Sequence, residues 1–505
     1  MKKLISLLLS LILAMSCVSC LAEEKTSTKD TLSVNLSADP ERIGYWMGNA
    51  NSALVAKNVY SSMMHFNREG ALEYDAAASF ERVDDTTYRV TLRDDVYFTD
   101  GHKLCAEDVV WTLNWAREMG DTMVTNTTLD FEKTHAVDDL TVEFSFTSKE
   151  AFLPLIFVDT FLLWQGAVEA NEITPAGSGA YVVDEWMAGS YVKLTRNENY
   201  YGSKALIRDV YFKVVSEDSQ LANALLSSEL DLVRNLPVTD YEFINGMDEF
   251  TTYINPGYIT QNLWFNCTDL SVLNNKDARK AICYAIDNAS ILNVVYGGLG
   301  KLTTAPFSSG CIDYKPSWGA DGFYEYNPEK AKELFAQSGI NWADVDLTII
   351  TDGSTAFNMM AQIIQQELQE CGVKSHIVNY EVASYRSVCK DPTQGWDICI
   401  LRATCGTGYG LDLLRAFLSS SMQHLSGWDT TVFDAKIAEA FEADDEKMSA
   451  LLDEIVALLI EEMPTYPVVE TGTPNAYVSN LCVDDHLQQC LEAFPFERMN
   501  TLYFD

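Results

Sequence analysis

The stretch Leu401-Arg-Ala-Thr-Cys-Gly-Thr-Gly-Tyr-Gly410 combines an arginine, a cysteine, a tyrosine and three glycines, residue types that can hold a small ligand. Glycines at 406, 408 and 410 leave backbone amides and carbonyls open to an extended peptide, which can add itself to a strand edge. Arg402 can pair a carboxylate, and Tyr409 can stack or donate a hydrogen bond. The plainer alternative is a loop in which Arg402 makes a structural ion pair. Aromatics at Tyr45, Trp46 and Trp164 can wall an apolar ligand group or can serve as core, and Asn49 and Asn51 flank the first pair.

Residue patterns for catalysis are missing. The six histidines, at 65, 102, 135, 376, 424 and 486, are scattered, and no HExxH, G-x-S-x-G or phosphate-binding loop occurs. Asp and Glu number 73, so close carboxylate pairs arise by chance and do not identify a glycosidase. A secreted hydrolase therefore stays the competing class, and capture without chemistry is the preferred one. No cofactor is implied. Of the twelve cysteines two lie near the N-terminus, and the remaining ten show no zinc-like spacing. Disulfides and buried free thiols both remain open for them.

The balance of charge narrows the partners. With 35 basic against 73 acidic residues the formal charge is −38, which repels phosphate backbones and anionic lipid surfaces. At the N-terminus Lys2 and Lys3 precede an apolar run, Leu4 to Met15, too short to span a bilayer and suited to a signal-peptide core. Ala14-Met15-Ser16-Cys17 and Cys17-Val18-Ser19-Cys20 both resemble a lipobox. Cys20 is the preferred lipid attachment site, Cys17 the other, and cleavage after Ala22 the plain alternative.

Positioning elements follow from periodicity. Thr31 to Leu36, Tyr88 to Arg93, Thr141 to Phe146 and Tyr191 to Arg196 alternate like strands, and Asp100-Gly101 marks a turn. Helices are expected over Glu107 to Arg117, from Asn327-Pro328 to Gly339, over Asn358 to Gly372 and over Lys447 to Glu462. In the third, Met359, Ile363 and Leu368 should share the buried face. The strands Leu347 to Ile350 and Lys374 to Val378 flank that helix, which is α/β layering. At about 150 residues per domain, 505 residues suggest two or three domains.

Ordered blocks of sequence carry a resemblance. Ala78-Ser-Phe80, Tyr88 through Gly101 and Ala106-Glu-Asp-Val109 come first. Gly177-Ser-Gly-Ala-Tyr181, Arg196-Asn-Glu-Asn-Tyr-Tyr-Gly202 and Leu230-Asp231 follow, then Leu263-Trp-Phe-Asn266. Asp277, Arg279, Ala281 and Tyr284-Ala-Ile-Asp287 precede Tyr326-Asn-Pro-Glu-Lys-Ala331. Together they resemble the family-5 extracellular solute-binding proteins, the binding components of oligopeptide, dipeptide and nickel ABC importers. Ala180 stands where proline is usual, and Ser228 where glycine is usual. The glycine-rich loop Gly177 to Gly179 is expected to offer backbone freedom and bare amides, and Arg279 with Asp287 to be a structural pair on one helix face.

The resemblance implies a bilobal α/β fold, periplasmic-binding-protein-like of type II in the larger three-domain form, with mixed sheets and a hinge. Residues 1–22 would be leader and 23–30 tether; 31–58, 177–268 and 477–505 lobe I; 59–176 an inserted domain II; and 269–476 lobe II. Ligand would sit between the lobes against Tyr45, Trp46, Asn51, Trp164, Arg402, Thr404, Cys405, Gly406 and Tyr409. The implied partners are a small peptide and the ABC permease, with the membrane reached through a lipid anchor only, on the outer face or in the periplasm. The chain would be a monomer and would bind no nucleic acid. A nickel-type subgroup is the alternative: its tryptophan position is filled by Thr404 or Cys405, and His424 lies near its histidine. No other metal site is expected.

Overall fold

The computed structural model describes residues 26–43, 50–66, 72–119, 124, 128–148, 155–158, 160–311, 313–318, 325–404, 410–414, 417–418, 427–443, 445–483 and 498–505. The leader, with Cys17 and Cys20, lies outside them, as do Tyr45, Trp46, Cys405, Gly406, Tyr409 and His424. No helix among the described residues is long and apolar enough to cross a membrane.

One mixed sheet organises the chain. Its strands are β1 (Thr31–Leu36), β2 (Tyr181–Met187), β3 (Tyr191–Arg196), β4 (Asp209–Val214), β5 (Leu232–Val233), β6 (Phe250–Phe265), β7 (Gly300–Leu302), β8 (Asp346–Thr351), β9 (Lys374–Asn379), β10 (Ile398–Thr404) and β11 (Thr465–Val478). They lie in the order β9-β8-β10-β6-β11-β5-β1-β4-β3-β2, with β7 also on β11. Within β9-β8-β10 and β5-β1-β4 the neighbours run parallel, as strand–helix–strand crossovers require. Parallel strands are covered on both faces, and alternate residues of the same strands here feed two cores. Leu263, Phe265, Ile349, Ile398 and Ile400 enter one, and Trp264, Ile350 and Cys399 the other. A separate core gathers Leu32, Val34, Phe212 and Tyr181 with the small sheet formed by 77–82, 87–92, 135–136 and 141–145. The fold is a bilobal, mixed α/β one.

Helix boundaries obey local chemistry. Asn327 caps Pro328–Gln337 by accepting from Lys330 N, and Gly339 follows with φ +73°. The helix Thr355–Glu370 starts earlier than periodicity suggested, capped by Ser354. Its buried stripe is Phe357, Met360, Ala361, Ile364 and Leu368, so Leu368 is as expected while Met359 and Ile363 flank the stripe. Arg279 and Asp287 do not share a helix: Lys276–Ala285 ends between them, and Asp287 caps the next helix by accepting from Ala289 N and Ser290 N. Gly177 and Gly179 serve close approach. A Cβ on Gly177 would lie 2.1 Å from Val59 O, and the amide of Gly179 is not bare but donates to Val59 O at 2.8 Å. The eight described cysteines are free thiols.

One half-buried carboxyl, Glu367, predicts a pH-dependent stability. Glu367 accepts from the Asp287 amide at 3.2 Å. Burial, with Asp287 and Glu370 nearby, pushes its carboxyl up to about 7. A folded value above the unfolded one means that its contribution is complete below the unfolded carboxylate range and is lost as pH rises through 7. Glu367→Gln keeps an acceptor and removes the charge. Denaturant midpoints at pH 5 and pH 8 should show wild type losing about 1 kcal/mol relative to the variant, after discounting for partial exposure. Equal pH slopes would refute that account.

Candidate functional site

Two strands carry the sheet from one lobe to the other, and both are interrupted at the crossing. β6 runs sixteen residues and β11 fourteen. The first half of β6 pairs the second half of β11, from Phe250↔Val478 to Asn255↔Thr473, where β11 also borders β5. The second half pairs from Ile259↔Thr471 to Trp264↔Thr465 and borders β10. Between them residues 256–258 of β6 stand opposite a single residue of β11, which makes a wide bulge. Pro256 has no N–H to give the ladder and Gly257 stiffens little, so the sequence itself breaks the pairing there. The result is a break in the ladder where the two strands pass from the β5 side of the sheet to the β10 side.

The strands are polar around the crossing although both flanks are apolar. Toward the first lobe, buried Asn35 accepts from Arg234 N at 2.7 Å, and buried Asn475 accepts from Asn235 N at 3.3 Å. Toward the second, Thr260, Gln261, Asn262, Glu470 and Thr471 are all buried. Gln261 Nε2 donates to Thr471 Oγ1 at 3.2 Å, and Glu470 accepts from the amide and hydroxyl of Ser309 at 2.8 and 2.9 Å. Gln261 Oε1, Asn262 Oδ1 and Trp264 Nε1 are buried without a hydrogen-bond partner. A buried orphan of this kind costs about 1–3 kcal/mol. This side of the crossing is thus built with unused polar capacity.

β10 ends at this place. Arg402 stands opposite Gln261 and Thr404 opposite Ile259, directly after the bulge. Ile398, Cys399 and Ile400 are buried, whereas Arg402 and Thr404 are exposed around buried Ala403. The strand therefore leaves the core as it reaches the crossing. From residue 410 onward the chain is held by the Asp313 carboxylate, which accepts from Gly410 N at 2.6 Å and Leu411 N at 2.8 Å. Gly410 packs on Phe307, whose ring would lie 2.3 Å from an added Cβ, so this glycine serves packing.

The other expected ligand contacts occupy different settings. Asn51 lies in the first turn of the helix Ala50–Val59 and accepts from Ser37 N at 3.2 Å, tying that helix to the end of β1. Trp164 stacks on His102 with centroids 4.1 Å apart and donates from Nε1 to Asp100 at 3.0 Å. Sequence reasoning overlooked the segment 303–313 and the polar run Thr260-Gln-Asn262. Three consecutive polar residues ahead of Leu263-Trp-Phe in a strand were the available signal.

The family model for bacterial extracellular solute-binding proteins, family 5 Middle, matches residues 71–422. The chain belongs to that family. Among relatives of this solute-binding protein, the peptide transport periplasmic protein SapA of Salmonella typhimurium is 25% identical over 447 residues, 80% of this chain and 79% of SapA. The nickel-binding protein NikA of Staphylococcus aureus is 23% identical over 320 residues, 63% of each chain. The solved structure of the ABC transporter substrate-binding protein CtaP of Listeria monocytogenes superposes with a TM-score of 0.82 at 22% identity, covering 94% of this chain and 99% of CtaP. That likeness shows the fold.

Proposed function

We propose that this solute-binding protein captures a small peptide between its lobes and presents it to the permease of an ABC importer. The observation that carries the reading is the exposed end of β10: Arg402 and Thr404 emerge beside the break in the β6–β11 ladder, next to buried Gln261 and Asn262, whose side-chain oxygens have no hydrogen-bond partner. Tyr45, Trp46, Asn51, Trp164, Cys405, Gly406 and Tyr409 complete the proposed ligand surface. The lobes follow the expected division, 31–58 with 177–268 and 477–505 against 269–476 with 59–176 inserted, except that their limits shift to the crossing at 256–258 of β6 and 472 of β11. The exported chain is held at the outer face of the membrane, or in the periplasm, by lipid on Cys20 or Cys17, and it works as a monomer without catalysis. Ligand bound only by the closed form draws the lobes together, and the permease reads that form.

A thermal-shift screen of the leaderless protein tests this. Mixed di- to hexapeptides are compared with nickel plus histidine. Peptide at about 100 times its Kd stabilises the native state by about 2.7 kcal/mol, which raises Tm by a few degrees. Small-angle scattering should then show compaction. A shift with nickel–histidine alone would replace peptide by metal chelate as the ligand class.

A further inference from the structure

We propose that His102, Cys105 and Asp108 bind a thiophilic divalent cation, zinc being the best fit, at the start of the helix Ala106–Glu118. The site stands at a helix start instead of on β10, shares only Trp164 with the proposed ligand surface as a neighbour, and goes beyond the peptide reading. Asp108 Oδ2 lies 2.9 Å from His102 Nε2 and 3.2 Å from Cys105 Sγ. All three donor atoms fall within 4.8 Å of one another, and no other trio of His, Cys, Asp or Glu among the described residues converges in this way. Tetrahedral zinc holds such ligands at about 2.0–2.3 Å, so its ligand atoms sit roughly 3.3–3.6 Å apart. The two contacts of Asp108 need to open by only a few tenths of an ångström for an ion to replace the protons now shared across them.

The local sequence produces this convergence. Gly101, with φ +93°, turns the chain so that His102 precedes the helix. Cys105 is the N-cap and Asp108 the third helical residue, which brings their side chains to the same end. Ser, Thr, Asp and Asn are the favoured caps, and cysteine is a poor substitute for them. A thiol supplies what those caps lack, a soft ligand for zinc and its neighbours. The imidazole is held from outside the trio. It stacks on Trp164 with centroids 4.1 Å apart and planes 17° apart, and Trp164 is held in turn by Asp100. Gly166 packs closely against that indole, since a Cβ there would lie 2.1 Å from the ring. Such outer contacts orient a metal-binding histidine.

Charge and access agree. The Cys105 thiol donates to Asp108 Oδ2. On binding, that proton leaves to solvent, and thiolate plus carboxylate neutralise the divalent ion. The imidazole is 31% exposed and the Asp108 carboxylate 10%, so an ion can enter and a fourth position remains for water.

Chelator-stripped, leaderless protein is titrated with zinc, and with cobalt(II) as the spectroscopic probe. Cys105→Thr retains a capping residue, and His102→Gln retains a hydrogen-bonding group, so both should fold. Wild type should take up a single equivalent, show thiolate-to-cobalt absorption, and have Cys105 shielded from alkylation by zinc. Cys267, Cys371 and Cys482, also partly exposed, should be unshielded. Each variant should bind roughly 100-fold more weakly and lose the cobalt band. No uptake by wild type, or undiminished uptake by both variants, would overturn the site and leave the trio as a helix cap. Metal held between the lobes would persist in both variants, so the two readings fail separately.

Discussion

Replacing Arg279 by alanine should destabilise the protein by about 4 kcal/mol, more than any surface change. Arg279 is 3% exposed and donates only to backbone carbonyls. Nε reaches Glu462 O and Met463 O at 3.1 and 3.0 Å, Nη1 reaches Leu273 O and Asn274 O at 2.7 and 3.0 Å, and Nη2 adds a second bond to Glu462 O. Alanine leaves four carbonyls without this donor, at about 1 kcal/mol or more each. The carbonyls belong to two turns. One is the 273–274 turn before the helix Lys276–Ala285; the other joins the helix Asp445–Glu462 to β11, where Met463 adopts a left-handed φ of +48° before Pro464. A non-glycine residue in that region costs about 1–2 kcal/mol, and the guanidinium helps hold it. Because β11 is one of the two interlobe strands, loosening its entry also weakens the crossing. Urea unfolding followed by circular dichroism checks this. Lysine, with a point charge in place of a planar fork, should recover only part of the loss. A loss below about 1 kcal/mol would show that water replaces the arginine easily.

Arg279 also shows how far sequence can be read. Its block of residues was legible as structural, yet the partner inferred from eight-residue spacing was wrong, because Ile286 adopts an extended conformation and ends the helix. Elements whose pattern is local were readable: β1, β3, the capped helix at Asn327 and the strand–helix–strand unit around Thr355–Glu370 follow from alternation and caps. The interlobe crossing was not readable. It depends on pairing Phe250–Phe265 with Thr465–Val478, about two hundred residues apart, and on a bulge that has meaning only against a partner strand. The proposed site divides in the same way. Arg402 and Thr404 are reached through the family resemblance, whereas Gln261, Glu470 and Asp313 come into view because tertiary contacts bring them beside that strand end. His102 and Cys105 were hidden by being sought as sets of like residues, when a mixed trio forms at one helix start.

Arg402 carries the second large effect. In a chain with 73 acidic residues against 35 basic ones, an arginine is easily satisfied, and many here are: Arg89, Arg93, Arg196 and Arg208 all pair with carboxylates. Arg402 is exposed and has no carboxylate partner among the described residues, so its fork is available to an incoming anion. A peptide offers one at its C-terminus. A hydrogen bond to a charged group contributes about 1.5–3 kcal/mol, so Arg402→Ala should weaken binding of a free-acid peptide roughly 10- to 150-fold. The same peptide with an amidated C-terminus should bind wild type and variant alike, which completes a double-mutant cycle. Calorimetric titration at two salt concentrations gives both readouts, since the free-acid preference should shrink as salt rises. Equal losses for acid and amide would mean that Arg402 shapes the strand end without touching the carboxylate. No loss for either would move the anion site elsewhere. Folding should be indifferent to the change, because the side chain lies outside both cores that flank β10. Stability unchanged and acid-specific affinity lost is therefore the combination that a ligand-contacting arginine produces and a structural one does not.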